Sequence, residues 1–156
     1  KDVLLGTSRN YIHVVDRRDG SLLSNYKFED IKYGYEHCNP VVHKDGFIYF
    51  IGCEGGGAGA FKLQLSEDGG SLTEIWRNPG VLNVFGGFEV IDNVLYTSLE
   101  TKKLVGLDTG SGQIMHSLRA ESGSIVKVDN ILIIYGHNGK LQFFKLKDKI
   151  CQFLTC

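Results

Sequence analysis

The sequence predicts an all-β protein assembled from a repeated four-stranded unit, and three observations carry that prediction. One ten-residue phrase is written three times: VVHKDGFIYF at residues 41–50, FEVIDNVLYT at 88–97 and IVKVDNILII at 125–134. Each is an apolar run, an Asp-Gly or Asp-Asn pair, and a second apolar run. A second phrase of strand, polar turn and strand recurs between them, as in Val14-Val15-Asp16-Arg17-Arg18-Asp19-Gly20-Ser21-Leu22 and Gly106-Leu107-Asp108-Thr109-Gly110-Ser111-Gly112-Gln113-Ile114. No window carries the 3.6-residue apolar period of an amphipathic helix.

Asp-Gly and Asp-Asn favour two-residue hairpin turns because these residues tolerate positive φ. Each ten-residue phrase therefore reads as two strands, A and B. Strand A is placed near 40–44, 87–91 and 124–128, and strand B near 3–6, 47–52, 94–99 and 131–135. Gly46 is expected at positive φ in a type I′ turn. A polar or glycine-rich loop leads to strand C, near 11–15, 60–65, 103–108 and 141–146. A second turn leads to strand D, near 21–27, 71–77, 113–118 and 149–154. Asp16 and Asp108 stand at the head of that turn, where a carboxylate can accept from local backbone amides. The first unit has no strand A.

The turns at Asp45, Asp92 and Asp129 lie 47 and 37 residues apart, bracketing the period of about 40–50 residues typical of propeller blades. Four similar antiparallel units can stack radially as blades, whereas a sandwich has no need of the repetition. The expected architecture is an all-β propeller arc over residues 1–156. Blade 1 covers about 1–28 without its inner strand, blade 2 about 39–78, blade 3 about 86–119 and blade 4 about 123–156. A closed propeller pairs strands from both chain ends within one blade and so hides its edges. Blade 1 lacks its inner strand and no spare strand follows Cys156. The arc is therefore expected to belong to a larger propeller of seven or eight blades, with exposed strand edges available for self-association.

Composition narrows the function. The net charge is −1 with Lys and Arg scattered, which leaves no nucleic-acid footprint. No run approaches the roughly 18–20 apolar residues of a transmembrane helix, and the chain shows no signal peptide or lipidation motif. The 20 Gly against 2 Pro suit many tight turns. Four cysteines, Cys38, Cys53, Cys151 and Cys156, lack the C-x-x-C spacing of zinc or thioredoxin chemistry. A two-residue loop at Asp45-Gly46 pairs Lys44 with Phe47. Carried outward, the same register brings Cys38 opposite Cys53, with Cα atoms about 5.5 Å apart, inside the disulfide range of roughly 4.4–6.8 Å. Pro40 cannot donate to the ladder and opposes regular pairing that far, so the sulfurs are expected to be neighbours and the bond is left open. Cys151 and Cys156, five residues apart on an extended strand, would sit about 17 Å from one another and are expected to be unbonded.

Leu104-Val105-Gly106-Leu107-Asp108-Thr109-Gly110-Ser111-Gly112-Gln113-Ile114 resembles the repeat of the pyrroloquinoline quinone enzymes, which has the form "ALD-x-x-TG-x-x-x-W". Val94-Leu95-Tyr96-Thr97-Ser98 is similar to the "vYvgs" strand before it. Trp76 falls where that repeat has its docking tryptophan, in this unit alone. His37-Cys38-Asn39-Pro40, Asn83-Val84-Phe85-Gly86-Gly87 and Gly123-Ser124-Ile125 resemble quinoprotein-like propeller proteins of gut Bacteroidetes. The resemblance covers essentially the whole chain. It implies a propeller fold and a location in the periplasm or at the cell surface. Activity does not follow, because this superfamily hosts enzymes and scaffolds alike. Among the scaffolds is the envelope lipoprotein that assists outer-membrane protein assembly.

In propellers the D-to-A and B-to-C connections share one face, around the channel mouth. Loop residues on a rigid scaffold are natural binding candidates, and those expected on this face are Tyr35, His37, Asn39, Glu54, Asn83, Phe85, Ser122, His137 and Asn138. Glu54-Gly55-Gly56-Gly57-Ala58-Gly59 resembles a phosphate-cradling loop in composition only. That chemistry needs a helix N-terminus next, and the alternating strand Phe61-Lys62-Leu63-Gln64-Leu65 follows instead. His13, His43 and His116 are scattered over different strands, and no G-x-S-x-G nucleophile elbow occurs. Quinone dehydrogenases hold their cofactor with a tryptophan floor, a vicinal cysteine pair and a calcium bound by Glu, Asn and Asp. This chain has one Trp, no Cys-Cys pair and no acidic cluster at calcium spacing. No catalytic or metal-ligating residue is assigned. The expected function is a non-enzymatic propeller scaffold for a protein or small-molecule ligand in the bacterial envelope. The alternative is a quinone-dependent dehydrogenase or sugar-active enzyme, using pyrroloquinoline quinone with calcium, whose active residues lie mostly in other blades.

Overall fold

The structure, a computed structural model, describes residues 2–8, 10–28, 42–52, 59–83, 86–147 and 150–153, with the backbone alone for 42–43 and 150–153. The described residues form fifteen strands and no helix. Sheet 1 contains β1 (Val3–Thr7), β2 (Tyr11–Asp16) and β3 (Leu22–Lys27), and sheet 2 contains β4 (Val42–Lys44), β5 (Phe47–Ile51), β6 (Ala60–Leu65) and β7 (Leu72–Asn78). Sheet 3 contains β8 (Phe88–Ile91), β9 (Val94–Leu99), β10 (Lys103–Asp108) and β11 (Ile114–Arg119). Sheet 4 contains β12 (Gly123–Val128), β13 (Ile131–Gly136), β14 (Leu141–Lys147) and β15 (Ile150–Phe153). Each sheet is an antiparallel meander in chain order, and sheet 1 has three strands with β1 at its edge. Every strand expected from the sequence is present.

Three hairpins close with two-residue loops, pairing Lys44 with Phe47, Ile91 with Val94 and Val128 with Ile131. Asp45, Asp92 and Asp129 take φ of 53°, 52° and 51°, and Gly46 follows at 79°. Asp and Asn tolerate this left-handed region, and glycine enters it without steric cost. Gly46→Val is therefore expected to destabilise by roughly 1–3 kcal/mol, the scale of local backbone strain. An unchanged urea midpoint would contradict that turn geometry.

The four sheets repeat down to individual hydrogen bonds. At the foot of strand B, Arg17 N donates to Asp2 O (3.4 Å), Leu65 N to Gly46 O (3.2 Å), Thr109 N to Asn93 O (2.9 Å) and Leu146 N to Asn130 O (2.7 Å). Val3, Phe47, Val94 and Ile131 are thus equivalent positions. The turn between strands C and D also recurs. Asp16 N donates to Ser21 O, Ser66 N to Ser71 O and Asp108 N to Gln113 O. Asp16 Oδ1 accepts from Arg18 N at 2.9 Å and Asp108 Oδ1 from Ser111 N at 2.8 Å. Both carboxylates therefore serve the turn, as their positions in the repeat suggest.

Two features have no signature in the apolar pattern. Strand D of the first three sheets carries a bulge at one place, so that Leu23, Ile75 and Met115 are extra residues opposite Val14/Val15, Lys62/Leu63 and Gly106/Leu107. Lys102 holds φ 58° in the turn before β10, a conformation usually given to glycine or asparagine.

The chain divides into two compact units, residues 1–82 and 83–156. In the first unit Ile12, Phe28, Ile48, Phe50, Phe61 and Leu63 form the core between sheets 1 and 2. Its rings interlock, with Phe28–Phe50, Phe28–Phe61 and Phe50–Phe61 centroids 5.4, 5.7 and 5.3 Å apart, distances at which tilted pairs are favourable. At its rim the Tyr26 hydroxyl donates to Glu74 Oε2. Arg77 Nη2 donates to Glu74 Oε2 (2.7 Å) and to the Tyr26 hydroxyl (3.0 Å), and Nη1 to the Phe28 carbonyl (3.1 Å). The hydrogen bond from Arg77 holds the Glu74 carboxyl below the usual carboxylate range. Because its folded pKa is depressed, Glu74 contributes stability above the ordinary carboxylate pKa and loses it as pH falls through the folded value. Acid titration of the melting temperature is expected to show this loss. Glu74→Gln should flatten it, and an unchanged acid limb would contradict the assignment.

In the second unit Val94, Tyr96, Leu104, Leu132, Ile134 and Phe144 pack sheet 3 against sheet 4. Two glycines let the backbones of these sheets meet. Ile125 N donates to Gly86 O at 3.0 Å, and Ser98 Oγ donates to Gly123 O at 2.6 Å. A Cβ on Gly86 would strike the Gly123 carbonyl.

Candidate functional site

In an antiparallel meander the B–C and D–A connections leave from the same end of the sheet. In the second unit this end is made by Asn83, Gly86, Gly87 and the turns at 100–102, 120–122 and 137–140. Backbone bonds tie these turns together. Ala120 N donates to Lys102 O (3.1 Å) and His137 N to Ser122 O (3.0 Å). Glu121 N donates to Gln142 Oε1 at 2.6 Å.

The expected binding residues divide sharply here. Ser122 and His137 are brought together, and His137 and Asn138 are exposed. Asn138 Oδ1 accepts from Lys140 N at 3.1 Å and so caps its own turn. Asn83 is buried and saturated. Its Nδ2 donates to Gly87 O (2.9 Å) and Thr97 Oγ1 (2.8 Å), and its Oδ1 accepts from Gly86 N (2.9 Å). Tyr35, His37, Asn39, Glu54, Phe85, Cys38, Cys53 and Cys156 lie outside the described residues. Cys151 lies opposite Leu146 on β15.

Beside this end runs a basic strip that sequence reasoning missed. Lys103 on β10 lies directly opposite Arg119 on β11, and Lys102 precedes the pair. Like charges directly opposite across strands destabilise a sheet. Neither Lys103 nor Arg119 makes an ion pair among the described residues, and Lys102 Nζ reaches Glu121 Oε2 only at 3.9 Å. The strip borders a recess of about 410 Å³ lined by Lys102, Leu118, Arg119, Ala120, Glu121 and Gln142. Chemically, this arrangement can hold an anionic group. An anion between Lys103 and Arg119 would remove their mutual repulsion and accept from both.

The histidines are dispersed. His13 Nε2 lies 2.8 Å from Ser8 Oγ and its ring stacks on Tyr11. His116 packs beside Gly106 and Tyr96 with Nε2 buried and unpartnered, and burial lowers its pKa below the ordinary histidine value. The side chain of His43 lies outside the description. Trp76 is buried against Tyr49, with ring centroids 6.5 Å apart. Among the described residues no three His, Cys, Asp or Glu side chains are grouped to hold a metal ion. No helix of the described residues is long and apolar enough to cross a membrane.

No protein-family model matches the chain, and no curated protein sequence does. Solved structures do match it. BamB from Moraxella catarrhalis superposes with a TM-score of 0.69 at 17% identity, over 97% of this chain and 45% of that one. The computationally designed Ika4 protein gives 0.69 at 15% identity, over 94% of this chain and 87% of its own. A europium-containing methanol dehydrogenase gives 0.56 at 11% identity, over 71% and 23%. The chain thus spans less than half the length of the BamB it matches. At these identities the likeness establishes fold, and the fold is that of a β-propeller.

Proposed function

We propose that this chain is part of a non-enzymatic β-propeller scaffold in the bacterial envelope, periplasmic or at the cell surface. In this reading it binds a protein or small-molecule ligand, and the loop end of the second unit receives an anionic group of that ligand. The observation that carries the reading is the placement of Lys103 opposite Arg119, with Lys102 alongside at 3.9 Å from Glu121. That arrangement costs stability in the free protein and is relieved by an acidic ligand. Asn83 and Asn138, at the same loop end, hold backbone in place. The fold shared with BamB and the quinoprotein-like repeat support an envelope location.

The test uses Arg119→Glu, for which stability and binding should move in opposite directions. The variant replaces a like-charge pair by an attractive one and is expected to stabilise by about 0.2–1 kcal/mol. The same change should weaken calorimetric binding of a hexaglutamate peptide at least tenfold. Binding to the unaltered chain should fall with added salt, as exposed charges are screened. Equal affinity of the two proteins would overturn the proposal. Dye-linked alcohol oxidation after reconstitution with pyrroloquinoline quinone and calcium would overturn the non-enzymatic reading.

A further inference from the structure

β11 is the edge strand of sheet 3 and lies in mid-chain, with all of sheet 4 following it. The bond from Ala120 N to Lys102 O (3.1 Å) sets the phase of the β10–β11 ladder. In an antiparallel pair, residues that exchange backbone bonds alternate with residues that do not. His116 and Leu118, opposite Gly106 and Leu104, therefore bond to β10, whereas Ser117 and Arg119 turn their N–H and C=O groups away from it. Among the described residues those outward groups have no partner. The exposed side chains of Ser117 and Arg119 share the face of Lys103, and Leu118 points to the other face. There Leu118 and Ala120 line the recess of about 410 Å³.

The repeat shows what is particular to this edge. In sheet 2 the residue equivalent to Arg119 is Pro79, directly after the Asn78 that pairs with Ala60. Proline has no N–H to offer an incoming strand. In sheet 1 the equivalent is Lys27, which lies opposite Tyr11 and not opposite a second cation. Charged side chains on an edge guard it against stray strands, and at β11 the guard is of one sign. A basic strand is repelled there, whereas an acidic one relieves the repulsion between Lys103 and Arg119.

We infer that β11 receives an extended peptide as a fifth strand of sheet 3, antiparallel to it, with acidic residues opposite Ser117 and Arg119 and an apolar residue beside Leu118. This rests on the reading of Lys103 and Arg119 as the receivers of an acidic ligand. Directly opposite residues share a face, with Cβ atoms about 4.5–5.5 Å apart, so an acidic side chain opposite Arg119 lies beside its guanidinium. The next residue of the peptide points to the other face, toward Leu118 and its recess. In strand addition the main-chain bonds supply affinity and the alternate side chains supply specificity. The bulge at Met115 interrupts the regular edge, so the contact is short and centred on Ser117 and Arg119.

Calorimetric titration of the unaltered chain with capped peptides tests the inference. The probe alternates glutamate and valine over five residues, beginning and ending on glutamate. Its isomer, three glutamates followed by two valines, has the same charge and cannot alternate. The alternating peptide should bind at least tenfold more tightly than the isomer. N-methylation of its glutamates removes the N–H groups that the register aims at Ser117 and Arg119, and should weaken binding at least tenfold. N-methylation of its valines, whose N–H groups face solvent, should leave the affinity nearly unchanged. Equal affinity of all four peptides, with hexaglutamate still binding, would overturn strand addition and leave the acidic-ligand reading standing. Weakening by the valine methyl groups alone would overturn the antiparallel register. Absence of binding by both hexaglutamate and the alternating peptide would overturn the inference together with the reading beneath it.

Discussion

Gly123→Ala is expected to destabilise the protein by about 3 kcal/mol, at the upper end of the usual cost of forcing atoms into a packed site. A Cβ at Gly123 would fall against the Tyr135 carbonyl oxygen and within 2.7 Å of Gly136 Cα. Those obstacles are backbone, so no side-chain rotation relieves the overlap. The residue also holds the junction of two sheets, since its N–H donates to Ser98 Oγ (3.3 Å) and its carbonyl accepts from the same hydroxyl. Any shift that accommodates a methyl group moves that bond and the Gly86 contact beside it. Gly6→Ala is the internal control. Nothing lies within 4 Å of its added Cβ, and removing a glycine from a strand should be neutral or stabilise by roughly 0.5–1 kcal/mol. Urea midpoints of the two variants, measured with a constant slope, should therefore move in opposite directions. Equal shifts would show that the close approach at Gly123 is not what constrains the residue.

The strands were legible in the sequence because a half-buried strand writes its period of two into the side chains, and because Asp-Gly and Asp-Asn mark hairpin turns by chemistry. The Asp16 and Asp108 turns were legible for the same reason, as short carboxylates beside free amides. The basic strip was not. Between Leu107 and Ile114 the register of β10 and β11 is set by the turn, and carried on regularly it would place Leu118 opposite Lys103. The bulge at Met115 shifts it by one, so Arg119 faces Lys103 instead. A bulge adds one residue to a strand already rich in exposed apolar side chains, Ile114 and Met115 among them, so the alternation there gives no warning. Lys102 was invisible for a related reason. A lysine at positive φ breaks the local rule that usually marks such turns.

Asn83 shows how a loop polar residue can look like a ligand contact and act as part of the scaffold. Asn83→Ala is expected to cost about 2–3 kcal/mol, because it strips the partner from the half-buried Gly86 N–H and from the buried Thr97 Oγ1. Gly87 O keeps a bond from Thr97 Oγ1 at 3.2 Å, which holds the loss below the sum of three separate bonds. Asn83→Asp is the sharper experiment. A carboxylate there can still accept from Gly86 N–H, but it cannot donate to Gly87 O or Thr97, and its charge is buried. Burial raises the folded pKa of an acid above its unfolded value. The ionised form is therefore destabilising at neutral pH, and the penalty is relieved as pH falls through the raised folded pKa and the acid regains a donor. Relative to the unaltered chain, the melting temperature of Asn83→Asp should recover on mild acidification, while that of Asn83→Ala stays depressed. If Asn83 instead faced a ligand, both variants would melt like the unaltered chain at every pH and differ only in binding. Parallel melting curves across the pH range would thus return Asn83 to the list of binding residues and remove it from the frame of the loop.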